Sequence, residues 1–109
     1  MSQIPPRPYQ VKKISVIAKG ADVLVREYVL GPRESIPWHH HTHVTDHYYC
    51  LEGKVLVETR APATHRELAP GGSTTVSPPI AHHVSNVSEE PCRFLLIQGV
   101  GKYDFVKGE

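Results

Sequence analysis

Pro37-Trp38-His39-His40-His41-Thr42-His43-Val44-Thr45-Asp46-His47-Tyr48-Tyr49-Cys50-Leu51-Glu52-Gly53 is the stretch on which the fold of this 109-residue chain turns. Strand side chains alternate between faces, so His39 and His41 share one face while Trp38 and His40 take the other. The run from His47 to Leu51 reads as a strand that ends at Glu52-Gly53. Lys54 to Thr59 then starts again, the pattern of a hairpin. The same stretch carries chemistry: five histidines and an aspartate stand within nine residues. Neutral imidazole is the commonest protein ligand for a transition metal. The cluster lies too deep in the chain to be a purification tag.

Working outward, strands follow one another with no sustained helical period. Val23 to Leu30 is rich in β-branched and aromatic residues and stops at Gly31-Pro32. A shorter strand is expected over Val11 to Ile17. Further strands are expected over Arg66 to Leu68, Ser73 to Val76, His82 to Val87 and Arg93 to Val100. The ten prolines fall at the chain start and at strand ends or loops, where a missing N–H removes no ladder bond. Many short strands between Gly/Pro turns predict an all-β sandwich or barrel in one domain. Residues 1–20 read as an N-terminal arm and first short strand, 21–100 as the barrel, and 101–109 as a tail.

Composition excludes several partner classes. With 12 Lys and Arg against 11 Asp and Glu, the net charge is +1, and no basic run exceeds two residues. Neither nucleic acid nor an anionic membrane surface has an electrostatic reason to bind. No apolar run approaches the roughly 20 residues of a membrane-spanning helix. The polar, proline-rich start carries no apolar segment of signal-peptide type, so a cytoplasmic location is expected. Cys50 and Cys92 sit in apolar surroundings without C-x-x-C spacing and read as small buried packers rather than a redox pair.

A second pair, His82-His83, follows far downstream. Alternation allows only one of the two to point into a barrel. Two histidines alone would read as solvated loop residues. An H-x-H followed by an acid, with a distant histidine, reads instead as an N/O site for one divalent first-row metal.

These residues resemble the motifs of the cupin superfamily, in its small single-domain form. The first cupin motif, G-x5-H-x-H-x3,4-E-x6-G, is similar to His39-x-His41-x4-Asp46-x6-Gly53, with Asp in the Glu position and Gly31 eight residues before His39. The second, G-x5-P-x-G-x2-H-x3-N, is similar to Gly72-x5-Pro78 followed by His82-x3-Asn86, with Pro79 ahead of a Pro-to-His interval shortened by one residue. The resemblance covers about residues 23 to 98. It implies a jelly-roll β-barrel holding one metal (Fe, Mn, Ni, Co or Zn) on His39, His41, Asp46 and His82. His83 is the alternative to His82, since it restores the Pro-to-His interval. The shorter arm of Asp46 leaves room for His43 or His47 in the shell.

Other polar residues have plainer readings beside the functional ones. Tyr48 shares the face of Asp46 and is a proton donor or, more simply, a buried aromatic with a satisfied hydroxyl. Gln98, amid Leu95-Leu96-Ile97, needs a partner and is a pocket candidate. Trp38 is expected to pack outside the metal face, and His65 to lie at the surface. A three-His, one-carboxylate shell leaves coordination positions open. The expected function is therefore a metal-dependent enzyme on a small organic molecule, of dioxygenase or isomerase/cyclase type. The alternative is a binding or sensing cupin without turnover. A homodimer is expected, with the proline-rich start and the tail from Gly101 to Val106 packing across a twofold axis or folding back on their own barrel.

Overall fold

The alternation read from the sequence is built into ten strands: β1 (Lys13–Lys19), β2 (Val23–Leu30), β3 (Ser35–His40), β4 (Thr45–Glu52), β5 (Val55–Thr59), β6 (Thr64–Leu68), β7 (Ser73–Val76), β8 (His82–Ser85), β9 (Cys92–Gly99) and β10 (Val106–Lys107). The computed structural model describes residues 11–99 and 104–108, and no helix occurs among them. The strands form two antiparallel sheets, ordered β1-β2-β9-β4-β7 and β10-β3-β8-β5-β6. The chain is all-β, a jelly roll of two facing sheets.

Period-two burial places the core between them. In β9, Cys92, Phe94, Leu96 and Gln98 point inward, and in β4 Asp46, Tyr48 and Cys50 do the same while His47 and Tyr49 face out. Tyr28 of β2 stacks on Phe94 with ring centroids 5.2 Å apart, and Leu30, Val55, Val57 and Val84 fill the layer beneath. One end of the sandwich is thus apolar. The other end is lined by His39, His41, Asp46, His82 and Gln98, all buried.

Several expectations shift on contact with the pairing. The turn at Gly53 does not close a hairpin. β4 pairs with β7 and β9, and β5 pairs with β6 and β8, so the turn carries the chain from one sheet to the other. Gly53 has φ +73°, and a Cβ there would stand 2.7 Å from the Pro91 carbonyl oxygen, which fixes the residue as glycine. β8 ends at Ser85 rather than Val87. The Asn86 side-chain amide donates to the carbonyls of Leu30, Gly31 and Glu90, which pulls the chain out of the sheet. β1 starts two residues later than expected, although Val11 is buried. The expected end of the last strand, Val100, lies outside the described residues, as do the proline-rich start (1–10) and 101–103 of the tail. Of the two readings of the tail, residues 104–108 follow the second: Val106 and Lys107 pair with His40 and His39 of the same barrel.

Candidate metal centre

Three strands meet at the polar end. β3 delivers His39, and His41 follows one residue past its end. β4 delivers Asp46 and β8 delivers His82. His39 and His82 are directly opposed across the β3–β8 ladder. A register irregularity between Ile36 and His39, at Pro37-Trp38, lets both Ile36 and His39 face inward despite their odd spacing. All four polar residues are at most 3% exposed, and each offers a donor atom within 4.8 Å of the other three.

Hydrogen bonding settles which imidazole nitrogens are available. Nδ1 of His39 lies 2.7 Å from the Pro37 carbonyl, Nδ1 of His82 lies 2.9 Å from the Ile80 carbonyl, and Nδ1 of His41 meets the Asp104 carbonyl. A carbonyl oxygen can only accept, so each Nδ1 carries the proton. In the neutral ring, Nε2 is then a bare lone pair. Nε2 of His41 and of His82 nevertheless stand 3.1 and 2.9 Å from Asp46 Oδ2, itself an acceptor. Lone pairs facing a carboxylate at that distance need a positive charge among them, which either a second ring proton or a divalent metal supplies. Histidine held at its second nitrogen by a carbonyl is also the usual support of a metal ligand. Donors bound to one ion at about 2.0–2.2 Å lie roughly 3 to 4.4 Å apart, depending on the angle between them, so the cluster is close to the span of one shell. The residues present fit a metal.

Electrostatics agree with the geometry. Burial alone would raise the Asp46 carboxyl. The hydrogen bonds and charges of His41 and His82 outweigh it and hold the group well below the usual carboxylate range. Burial, with the charge on His82, pushes His39 down to about 3. His41 is also opposed by burial, yet the hydrogen bond and charge of Asp46 carry it above its ordinary value. Asp46 is therefore an anion and His39 a neutral donor across the physiological range.

The remaining sequence candidates separate cleanly. Tyr48 is fully buried, and its hydroxyl donates to Asp46 Oδ2 at 2.9 Å. Gln98 donates through Nε2 to Asp46 Oδ1 at 2.9 Å and lies 3.4 Å from His41 Nε2. His83 stands outside the cluster. It faces outward, stacks on Trp38 with centroids 5.5 Å apart, and lies 3.4 Å from a Glu58 oxygen. His43 and His47 are exposed, and His47 contacts Thr75 Oγ1 instead of completing the shell. His65 is at the surface beside Glu58.

Three residues of the site escaped sequence reasoning. Arg26 lines the cavity beside the cluster together with Tyr28, Tyr48 and Gln98, a space of about 200 Å³ counting its open mouth. Alternation from Tyr28 and Leu30 would have placed it inward. Phe105 stacks on the His39 ring at 4.3 Å, and the Asp104 carboxylate accepts from Thr42 N and Oγ1 at 2.8 and 2.5 Å. Nothing in the sequence of the tail signals that contact.

A model of the cupin domain matches residues 26–98. A search of curated proteins finds no match. Among solved structures, an uncharacterised conserved protein with a double-stranded β-helix domain from Klebsiella pneumoniae subsp. pneumoniae MGH 78578 is similar at 23% identity and a TM-score of 0.77, over 97% of this chain and 90% of that one. TT1209 from Thermus thermophilus is 26% identical with a TM-score of 0.73, over 85% of this chain and 89% of that one. An oxalate oxidase in complex with the substrate analogue glycolate shares the fold at 14% identity and a TM-score of 0.74. The match covers 87% of this chain, which spans about half (54%) of that protein.

Proposed function

The chain belongs to the cupin-domain family, and on that premise we propose that it holds one divalent transition metal on His39, His41, Asp46 and His82 and acts on a small organic molecule. The observation that carries the reading is the set of three Nδ1–carbonyl pairs, which leaves each ring its Nε2 for the buried cluster, with those of His41 and His82 standing 3.1 and 2.9 Å from Asp46 Oδ2. Iron, manganese, nickel, cobalt and zinc all suit this N/O donor set. When bound, the metal supplies a Lewis-acid centre with open positions, suited to oxygen-dependent cleavage or to isomerisation or cyclisation through a stabilised enolate.

The chain's own residues supply orientation and dryness. Tyr48 and Gln98 each donate to a different oxygen of Asp46 and fix the plane of its carboxylate. Phe105 covers one face of His39 and shields that side from water. Oxalate oxidase, a fold relative, is an enzyme of a small carboxylate by its name, which supports a small polar substrate over a macromolecule. Loading the protein anaerobically with Fe²⁺ or Zn²⁺ and offering diketones, catechols and small keto acids tests the reading. Oxygen uptake with iron alone marks an oxygenase, and turnover with zinc without oxygen an isomerase or cyclase. Tight binding without change under every metal marks a sensing protein instead.

A homodimer is part of the same proposal. Val16 and Ile17 on edge strand β1 are 61% and 55% exposed, and a second copy against that edge would cover them. A sedimentation mass near that of one chain at micromolar concentration would exclude it.

A further inference from the structure

Two of the three cluster histidines take their Nδ1 acceptor from nearby. The Pro37 carbonyl serves His39 and the Ile80 carbonyl serves His82, each two residues before the ring it holds. His41 lies one residue past the end of β3, and its acceptor is the carbonyl of Asp104, 63 residues further along the chain. The Asp104 carboxylate in turn accepts from Thr42 N at 2.8 Å and from Thr42 Oγ1 at 2.5 Å. One tail residue thus clasps His41-Thr42 twice, with its backbone at the ring and its side chain at the residue after it.

The residues that follow run along the same stretch. Val106 pairs with His40, Lys107 pairs with His39, and Gly108 N donates to the Trp38 carbonyl at 2.7 Å. Phe105 lies nearly parallel to the His39 ring at 4.3 Å and meets the His41 ring edge-on at 6.2 Å. Every residue from Trp38 to Thr42 therefore has a partner within 104–108. Beyond Phe105 the contact buries little: Val106 and Lys107 are exposed, and so are the Asp104–Thr42 bonds. A two-residue ladder at a sheet edge, with exposed hydrogen bonds, belongs to the least stable part of a fold and opens locally. Its docking is weak enough for an event at the cluster to shift.

We propose that Asp104 is a positioning residue of the metal centre: docking of 104–108 sets the His41 ring for the metal, and metal binding in turn holds the tail down. The inference rests on the proposed metal site and gives that site an element that tunes it. With Nδ1 held by the Asp104 carbonyl, Nε2 is the nitrogen left for the ion. With the tail undocked, that carbonyl no longer fixes the tautomer or the ring plane. The metal then binds the docked form more tightly, and linkage makes the effect reciprocal. The factor by which docking strengthens metal binding is the factor by which metal strengthens docking.

Hydrogen exchange on the full-length protein, with and without saturating Zn²⁺, reads the docking, and calorimetric Zn²⁺ titration reads the affinity. Zn²⁺ should slow exchange of the Gly108 amide by about tenfold or more, while the Glu34 amide, bonded within the turn after β2, should not change. D104A should lose about 10- to 100-fold in Zn²⁺ affinity. D104N should recover all but about threefold, because its amide can still accept from Thr42 N and donate to Thr42 Oγ1. K107A, which removes an exposed side chain, should lose nothing. An equal loss in D104A and D104N would mean that the carboxylate acts through its charge and not by position, and overturns the proposal. So does a D104A affinity equal to that of wild type, or Gly108 exchange in wild type that Zn²⁺ leaves unmoved. Both results are read on protein that takes up Zn²⁺, so they leave the metal site standing. No Zn²⁺ uptake by wild type overturns the site and the role of Asp104 together.

Discussion

Two sets of histidines share this barrel, and they differ in surroundings rather than in kind. His39, His41 and His82 lie inside, each with Nδ1 tied to a backbone carbonyl and Nε2 near one carboxylate. His47, His65 and His83 lie outside, where their neighbours are a threonine hydroxyl and the Glu58 carboxylate. The outer set even has its own acid: Glu58 stands opposite His83 on one side and His65 on the other. What the outer set lacks, among the described residues, is peptide carbonyls that fix the tautomer and a wall that excludes water. A capacity to hold a metal would thus come from where Pro37 of β3, Ile80 ahead of β8 and Asp104 of the tail put their carbonyls, not from the number of imidazoles.

The largest expected effect follows directly. Substituting His39 and His41 by Ala should abolish metal binding. Asp46→Asn should weaken it well beyond the roughly 10- to 100-fold that loss of a supporting partner brings. Elemental analysis after gentle purification, followed by Zn²⁺ titration, reads both. A chain that stays metal-free and refuses added Mn²⁺, Fe²⁺, Ni²⁺ and Zn²⁺ would erase the distinction between the two sets.

The inner set should also make the metal-free protein sensitive to pH. Burial and the His82 charge hold His39 at about 3, whereas the unfolded chain takes up that proton near 6.5. Its stabilisation is complete above 6.5 and drains away as pH falls toward 3. Asp46, held low, contributes above the ordinary carboxylate range and loses its share at still more acid pH. His41 has the opposite sign: raised by Asp46, it stabilises fully below 6.5 and loses that contribution as pH rises through its folded value. The metal-free protein should therefore be most stable near pH 6.5, with slopes of at most about 1.4 kcal/mol per pH unit for each proton. Urea unfolding of chelator-treated protein between pH 4.5 and 8 measures this (roughly the window in which these groups titrate). A flat profile would show that the inner histidines titrate like free ones.

A finer contrast lies on a single strand. Tyr48 and Tyr49 are neighbours in β4, one fully buried with its hydroxyl on Asp46, the other 46% exposed. Tyr48→Phe should weaken metal affinity about tenfold and lower stability by about 1 kcal/mol. Tyr49→Phe should change neither. Equal effects would mean that the hydroxyl does not orient the carboxylate.

Much of this sorting is legible from residue numbers, because strand parity is two and survives small errors in strand ends. His39, His41, Asp46 and Tyr48 can be placed on one inward face without knowing any partner strand. The choice between His82 and His83 cannot be made that way, since the spacing to Pro78 favours one and the spacing to Asn86 the other. The register that sets His82 opposite His39 is what brings His82, rather than His83, into the cluster. The Gly53 turn has the same reason: an apolar run, a glycine and a second apolar run describe a hairpin and a crossover between sheets equally well. Arg26 shares parity with Tyr28 and Leu30, so its face is legible, but how deep it lies is set by the pairing of β2 with β9. Phe105 reaches His39 only because two residues beyond it form a short ladder with β3. Each of these depends on contacts between residues distant in the chain.

The smallest effect should come from His83→Ala, and its smallness is the point. His83 is about a quarter exposed, stacked on Trp38, and within ion-pair reach of a partly exposed carboxylate. A partly exposed pair of this kind contributes under about 1 kcal/mol, and the ring contact adds a comparable amount at most. Metal affinity should stay within about twofold of wild type, because neither ring nitrogen faces the cluster. His82→Ala, one residue earlier, removes an Nε2 from the donor set and leaves Asp46 with one fewer partner in a dry site. Zn²⁺ titration of the two variants side by side is the sharpest form of the comparison. If His83→Ala loses metal and His82→Ala keeps it, the β3–β8 register is shifted by one residue. Every face assignment on β8 then reverses with it.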